Sequence, residues 1–261
     1  MKKLIIITAS LLATMSLMGQ DYRMEARILK QENEALKYTV DSLRWALADK
    51  DVELIVPWSH LTNGRAPADP EYEQGLMMID REILVEYTDV MKQYLDFFNV
   101  AQKRRMGRIA ELYSRHQEYI ESVFEAYGIP TDIAPLCIVE SAMNPNAIST
   151  AGAVGLWQLM PQTAQQYGLQ MIPELGYDER RDIEKSTPVA AAVLATNYRR
   201  YGSWPLAISA YNCGPGAMDV AVTAAGTTDY WTVWDLLPKE TQGFLPSLMG
   251  VLYYLKMNEE Q

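Results

Sequence analysis

Cysteine and histidine are scarce in this chain, with only two of each in 261 residues, and that scarcity narrows the chemistry first. His60 and His116 have no neighbouring cysteine or carboxylate at ligand spacing, and neither Cys137 nor Cys213 sits in a metal-ligand pattern. No metal site is therefore expected, and no cofactor is called for. Positive charge is also short. Lys and Arg total 23 against 33 Asp and Glu, and the net charge of −10 argues against a nucleic-acid partner and against holding any anionic polymer by bulk electrostatics. The isolated basic cluster Lys103-Arg104-Arg105 reads as a solvated helix face. Internal repeats are missing, and so is any alternating run long enough for a convincing sheet. Long hydrophobic runs are limited to Leu4–Met18, shorter than the ~18 or more apolar residues that a spanning helix wants.

What is present begins with that run. Met1-Lys2-Lys3 is basic and precedes it, the order of a secretory signal, with a small-residue cleavage position after Gly19. Residues 1–19 are thus expected to be removed, an uncleaved anchor being the alternative, and no cysteine stands near enough for lipidation. Residues 24–51 carry a heptad pattern. Ala26, Asn33, Val40 and Leu47 take a, Leu29, Leu36 and Leu43 take d, and Glu25/Lys30 and Glu32/Lys37 flank the seam. Two readings stand: a parallel coiled-coil homodimer through Met24–Asp51, or an amphipathic helix folded back on its own domain. Residues 56–75 hold proline, glycine and polar groups without a period and read as a linker. The main domain is then 76–261, and 49% hydrophobic content is enough for a sizeable core.

Within it, Leu76, Ile79, Ile83, Tyr87, Val90, Met91, Tyr94 and Phe98 recur at helical spacing, and a further helix is expected from Lys103 to Tyr127, stopped by Gly128 and Pro130. Thr187-Pro188 reads as N-cap and first residue of a helix ending at Gly202. Pro161 opens another ending at Gly168, and Pro205 opens a third with Tyr211 near its end. The fold class is mainly α.

The chemistry centres on Glu140. It ends the segment Asp132–Val139, which carries a single charge, so burial is expected to raise its carboxyl pKa and to leave a proton available for donation near neutral pH. It also opens Glu140-Ser141-Ala142-Met143-Asn144-Pro145-Asn146-Ala147-Ile148-Ser149, followed by Gly152-Ala153-Val154-Gly155-Leu156-Trp157-Gln158. Further on come Leu206-Ala207-Ile208-Ser209-Ala210-Tyr211-Asn212-Cys213-Gly214-Pro215-Gly216 and Leu237-Pro238-Lys239-Glu240-Thr241. These four ordered motifs resemble the catalytic domain of the family 1 lytic transglycosylases, most closely the membrane-bound lytic transglycosylase D branch, over roughly Glu73 to Pro246.

The resemblance implies a goose-type lysozyme-like fold and an enzyme acting on peptidoglycan glycan strands in the periplasm. It would cut the MurNAc–GlcNAc β-1,4 bond and leave 1,6-anhydro-MurNAc ends. Glu140 would be the single acid/base, protonating the glycosidic oxygen and then taking the C6 hydroxyl proton of the same sugar, an intramolecular closure that needs no second carboxylate. Ser141, Ser149, Gln158, Tyr211, Asn212 and Glu240 would line the substrate, with Ser149 hydrogen-bonded to Glu140. Each also has a plainer reading: Ser149 as a turn hydroxyl, Gln158 as an amide satisfied by backbone, Tyr211 as a core aromatic with its hydroxyl on a carbonyl, Glu240 as a helix cap. Trp157, Trp204, Trp231 and Trp234 are assigned to the core and not to sugar stacking. The resemblance brings Cys137 and Cys213 close enough to pair, although two separate buried thiols are preferred.

The charged run Asp178–Asp182 reads as an ion-paired surface loop. One departure is Phe244 where the family usually has tyrosine. Two other functions remain open. One is a hydrolysing lysozyme on the same fold. The other is a non-catalytic peptidoglycan-binding scaffold with a partner in the envelope machinery.

Overall fold

The computed structural model describes residues 69–258. The signal at 1–19, the heptad segment at 24–51, the linker up to residue 68 and His60 lie outside the described residues.

The described chain is almost wholly helical, as its composition and breaker residues imply. Helix α1 (Pro70–Leu76) is capped by Asp69, whose side chain accepts from the Glu71 N–H. Its first six residues fall in the stretch expected as linker, and that boundary is corrected here. Tyr72 and Leu76 are buried, Tyr72 meeting Tyr253 edge-on at 5.1 Å, so the segment has a core face that its proline and glycine content disguises.

The apolar period from Leu76 onward does not continue as helix. Residues 77–88 are turns and irregular backbone, from which Ile79 and Ile83 still reach the core. Local polar contacts outcompete the helix there. The Asp80 N–H donates to Asp132, the Asp80 side chain accepts from the Glu82 N–H, and Thr88 caps the next helix by accepting from the Met91 N–H. Helix α2 (Asp89–Asp96) runs through a π turn, Phe97–Ala101, into α3 (Lys103–Ser114). The helix expected over Lys103–Tyr127 is two pieces, α3 and α4 (Gln117–Ala126), broken at Arg115–His116.

A short helix α5 (Leu136–Ser141) carries the Glu140 segment, α6 (Pro161–Gln166) opens on its proline as expected, and α7 (Ile183–Tyr201) follows. Gln170–Glu179 groups apart from the other described residues as a small unit. It is an antiparallel pair of two-residue strands, β1 (Met171–Ile172) and β2 (Tyr177–Asp178), closed by Glu179 accepting from the Gln170 N–H. Helix α8 (Trp204–Ala225) breaks at Gly214, whose φ of 78° and ψ of 155° separate the Tyr211 segment from the turns after Pro215. Two short helices, α9 (Tyr230–Trp234) and α10 (Lys239–Gln242), lead into α11 (Phe244–Asn258).

Helix α11 is the axis of the core, buried without interruption from Phe244 to Tyr254. It packs closely on α2, where a Cβ added at Gly250 would stand 2.8 Å from the Tyr94 carbonyl oxygen, and Asn99 donates to the Gly250 carbonyl at 3.1 Å. Near its end Lys256 pairs with Asp132 at 2.9 Å, so Asp132 ties α11, the Asp80 turn and the approach to α5 together.

The start of α7 corrects a second expectation. Asp182, not Thr187, is its N-cap, accepting from the Glu184 and Lys185 N–H groups, and Pro188 lies inside the helix. An interior proline removes the N–H that would bond the carbonyl four residues earlier. Here that carbonyl belongs to Glu184, and the Tyr119 hydroxyl of α4 donates to it at 2.8 Å. Thr187 instead donates to the Ile183 carbonyl and accepts from the Trp157 indole at 2.9 Å. We expect Tyr119→Phe to destabilise the protein by about 0.5–1 kcal/mol, a modest loss because water reaches the bond. In a Pro188→Ala background the restored N–H should take over the carbonyl, and the loss should vanish. Urea midpoints of the double-mutant cycle check this, and equal losses in both backgrounds would contradict it.

Candidate active site

Glu140 sits one residue from the end of α5, where burial follows from the segment itself: Leu136, Cys137 and Ile138 are fully enclosed. The helix then reverses sharply, Ala142 and Met143 both adopting positive φ. The residue keeps part of its surface open, yet its carboxyl is desolvated enough to be pushed up to about 8. Burial is the main cause, and the negative charge of Glu240 adds to it. Among the described residues no hydrogen bond supports the charged form. A carboxyl in this setting holds its proton at neutral pH and can donate it.

The wall beside it is the loop from Asn144 to Leu159, folded by paired bridges of Val154 with Ile148 and Leu159. Ser141 fastens this loop to α5, donating to the Leu156 carbonyl at 2.9 Å and to the Cys137 carbonyl at 3.2 Å. Ser149 is expected on Glu140 but is bonded elsewhere. Its Oγ accepts from the Ala153 N–H at 3.0 Å, which is the plain turn role, and its hydroxyl proton stays available. Gln158, at a positive φ of 46°, uses its side-chain nitrogen on the Gly155 and Ala147 carbonyls, leaving Oε1 as the free end of the amide. Tyr211, from the first segment of α8, donates to the Trp157 carbonyl at 2.8 Å. Its phenol is held well above the usual tyrosine range by burial and by nearby Glu140, so it stays neutral. Next to it, Asn212 accepts from Thr241 Oγ1 at 2.7 Å, joining α8 to α10 and thus to the exposed Glu240.

The fold therefore brings Glu140, Tyr211 and Glu240 within electrostatic reach, while Ser141, Ser149, Gln158 and Asn212 are occupied mainly in holding the surrounding backbone. Cys137 and Cys213 are both free thiols, and Cys137 is fully buried against Met143. The tryptophans are structural. Trp157 stacks on Phe124 at 5.4 Å with no exposure, and Trp204, Trp231 and Trp234 donate to Glu82, to the Glu86 carbonyl and to the Gln242 carbonyl. Phe244 is enclosed at the start of α11.

The charged run after residue 178 holds what the sequence reading missed. Arg180 is buried, not on the surface, and its guanidinium donates to the Gly152 and Leu159 carbonyls at 3.0 and 2.9 Å, bridging both ends of the loop. Arg181 donates to Asn146 Oδ1 at 3.0 Å. A loop rich in turn residues carries carbonyls that need donors, and two arginines nearby in sequence were the available signal. Gly155 permits the contact: at φ 90° its missing Cβ would lie 2.0 Å from the Arg180 carbonyl oxygen.

Among the described residues, this α-helical domain thus holds a proton-retaining carboxyl, that of Glu140, beside a loop of buried hydrogen bonds. Residues 118–233 match the family model of the transglycosylase SLT domain. The chain is 37% identical over 134 residues to membrane-bound lytic murein transglycosylase D of Escherichia coli (strain K12), an alignment covering 49% of this chain and 29% of the relative. It is 33% identical over 135 residues to membrane-bound lytic murein transglycosylase C of Actinobacillus pleuropneumoniae serotype 5b, covering 46% and 36%. It thus spans about a third of the length of these relatives. Among solved structures, an inactive mutant of lytic transglycosylase Slt from Pseudomonas aeruginosa aligns with TM-score 0.46 at 22% identity, over 56% of this chain and 25% of that one.

Two outcomes follow from this geometry. Gly152 and Gly155 have similar positive φ, 85° and 90°, but only Gly155 faces backbone. Gly155→Ala should cost about 2–4 kcal/mol in urea unfolding and Gly152→Ala about 1–2, the difference being the clash with Arg180. The second outcome concerns pH. Because the folded Glu140 pKa of about 8 lies above the ordinary carboxylate value, folding favours its protonated form. That stability is complete below about pH 4.5 and is lost as pH rises through about 8. Glu140→Gln should therefore melt near wild type at pH 5 and above it at pH 9. Equal melting temperatures at pH 9 would show that the carboxyl is not desolvated.

Proposed function

We propose that the protein is a peptidoglycan lytic transglycosylase in which Glu140 is the sole acid/base. The carrying observation is the proton-retaining carboxyl of Glu140 at the end of α5. The transglycosylase SLT domain match and the relatives named as lytic murein transglycosylases support the reading. Glu140 protonates the glycosidic oxygen between MurNAc and GlcNAc. The resulting carboxylate then accepts the C6 hydroxyl proton as that oxygen closes on C1, so the proton returns to Glu140 and no water enters the products. Proximity of the C6 hydroxyl replaces a second enzymic carboxylate, since intramolecular closure carries a high effective molarity.

Tyr211 and Gln158 Oε1 offer polar contacts to the sugar, Ser149 has a hydroxyl proton to give, and Ser141 and Asn212 hold their positions. Glu240 at the rim keeps the Glu140 carboxyl protonated between turnovers. The chain is exported to the envelope, by the signal at 1–19. The segment at 24–51 pairs two copies through its heptads, and the catalytic part follows the linker. Among the described residues no helix is long and apolar enough to cross a membrane.

A hydrolysing lysozyme is the second reading, favoured by one observation: Glu240 is a second carboxylate close enough to perturb Glu140. Product mass separates the two, since transglycosylation yields a muropeptide lighter by one water than hydrolysis does. We expect the lighter product, with the rate falling as pH rises through about 8 because the acid form acts first. Glu140→Gln should lower turnover ~100- to 10,000-fold with the fold retained. Anhydro products at an appreciable fraction of the wild-type rate in that variant would exclude Glu140 as the acid.

A further inference from the structure

A recess of about 560 Å³ opens at the beginning of α8, beside the turn at 82–86 and the start of α9, and shares no residue with the Glu140 site. Two kinds of surface line it. Leu84, Val85 and Pro205 give an apolar wall, whereas Tyr198 and Trp231, both half-buried, set aromatic rings beside the carboxylates of Glu82 and Asp229. The rings are held in place: Tyr198 lies flat against Trp204 at 4.1 Å and 14°, and Trp231 meets Tyr230 edge-on at 5.0 Å while its indole donates to the Glu86 carbonyl.

The charge of the recess rests on Glu82 and Asp229. Glu82 accepts from the Trp204 indole at 3.1 Å, and Asp229 accepts from the N–H and hydroxyl of Thr232, neutral donors that leave each carboxylate its charge. Those Thr232 bonds hold the Asp229 carboxyl below the usual carboxylate range, so it is ionised at neutral pH. Among the described residues no lysine or arginine pairs with either group. Glu86 also lines the recess and is engaged by a further interaction of its own; with its charge set aside, two negative charges remain.

Such a surface repels an anion and attracts a cation, through the carboxylates and through the negative faces of the rings. The net charge of −10 acts in the same direction at longer range. A bare metal ion is a poor fit, since hard divalent cations take about six oxygen ligands and, among the described residues, no three acidic, histidine or cysteine groups converge to hold one. The volume falls in the range of small-ligand pockets and leaves room for an alkyl stem, which packs on apolar wall while its charged head stays among polar groups.

We propose that this recess binds a primary ammonium carried on an aliphatic chain, the chemistry shared by a free alkyl diamine and a protein lysine side chain. The methylenes lie along Leu84, Val85 and Pro205, and the ammonium sits among Glu82, Asp229 and the Trp231 ring. No bond is made or broken there, and the site does not rest on the glycan-cleaving reading.

The test is calorimetric titration of the full chain at neutral pH with cadaverine and, separately, with lysine blocked at both backbone ends. We expect saturable one-to-one binding of both amines, weakened about tenfold or more when the lysine side-chain amine is acetylated, and none of glutarate, which carries carboxylates on a chain of the same carbon count. Tighter binding of cadaverine would assign the recess to a free amine and tighter binding of the blocked lysine to a partner protein, and either result supports the ammonium site. Glu82→Gln and Asp229→Asn remove charge while keeping an acceptor for the Trp204 indole and for the Thr232 N–H, so each should fold and weaken both amines about tenfold. Glu240→Gln, outside the recess, should leave both affinities unchanged. Absence of saturable binding by either amine, equal binding of the acetylated lysine, or unchanged affinity in Glu82→Gln and Asp229→Asn variants shown by thermal melts to be folded would overturn the proposal. So would loss of binding in Glu240→Gln, which would move the ammonium to the cleft beside Glu140.

Discussion

The structure depends on keeping one carboxyl dry and without a partner. Glu140 is pushed up to about 8 because it is enclosed and faces the charge of Glu240, and among the described residues it has no donor to relieve it. An arrangement of this kind survives only if neighbouring polar groups are satisfied by one another, since any spare donor turning toward the carboxylate would lower its pKa. Ser141, Gln158, Tyr211 and Arg180 each donate to a backbone carbonyl of the adjoining segments, and Asn212 is engaged by Thr241. The surrounding network thus maintains the acid by not bonding to it.

The same economy explains the loop beside α5. Its carbonyls at Gly152 and Leu159 face inward, where an unpaired acceptor is costly, and the Arg180 guanidinium serves both from a single buried side chain. The close approach at Gly155 and the left-handed backbone at Gln158 follow from packing this loop against the residues after 179. Helix α7 repeats the pattern on a larger scale, with Tyr119 supplying the donor that Pro188 removes. In both places an apparent local defect is repaired by a side chain distant in sequence.

Much of the fold was legible because breaker residues act locally. Pro161, Gly168 and Gly202 mark helix ends where the sequence places them, and the apolar period predicted burial of Val90, Met91, Tyr94 and Phe98. The failures have a common cause. The helix read through 77–88 gave way to side-chain bonds from Asp132 and Thr88, and the N-cap moved from Thr187 to Asp182 because Tyr119 makes Pro188 tolerable inside a helix. Residues 70–75 turned out to be helix because Tyr72 finds Tyr253, a partner nearly the whole described chain away.

The sequence by itself determined the mainly helical class, the burial of the segment ending in Glu140 and the raised carboxyl pKa that follows, because these depend on residue type and near neighbours. It also determined the order of the four motifs and hence the match of residues 118–233 to the transglycosylase SLT domain model. Only the tertiary structure decided that Ser149 bonds Ala153, that Arg180 is an internal clasp and not part of a surface loop, and that Glu240 bears on Glu140 across a hundred residues. Those outcomes turn on which donor meets which acceptor when distant segments pack, and side-chain reach in three dimensions is not encoded in spacing along the chain.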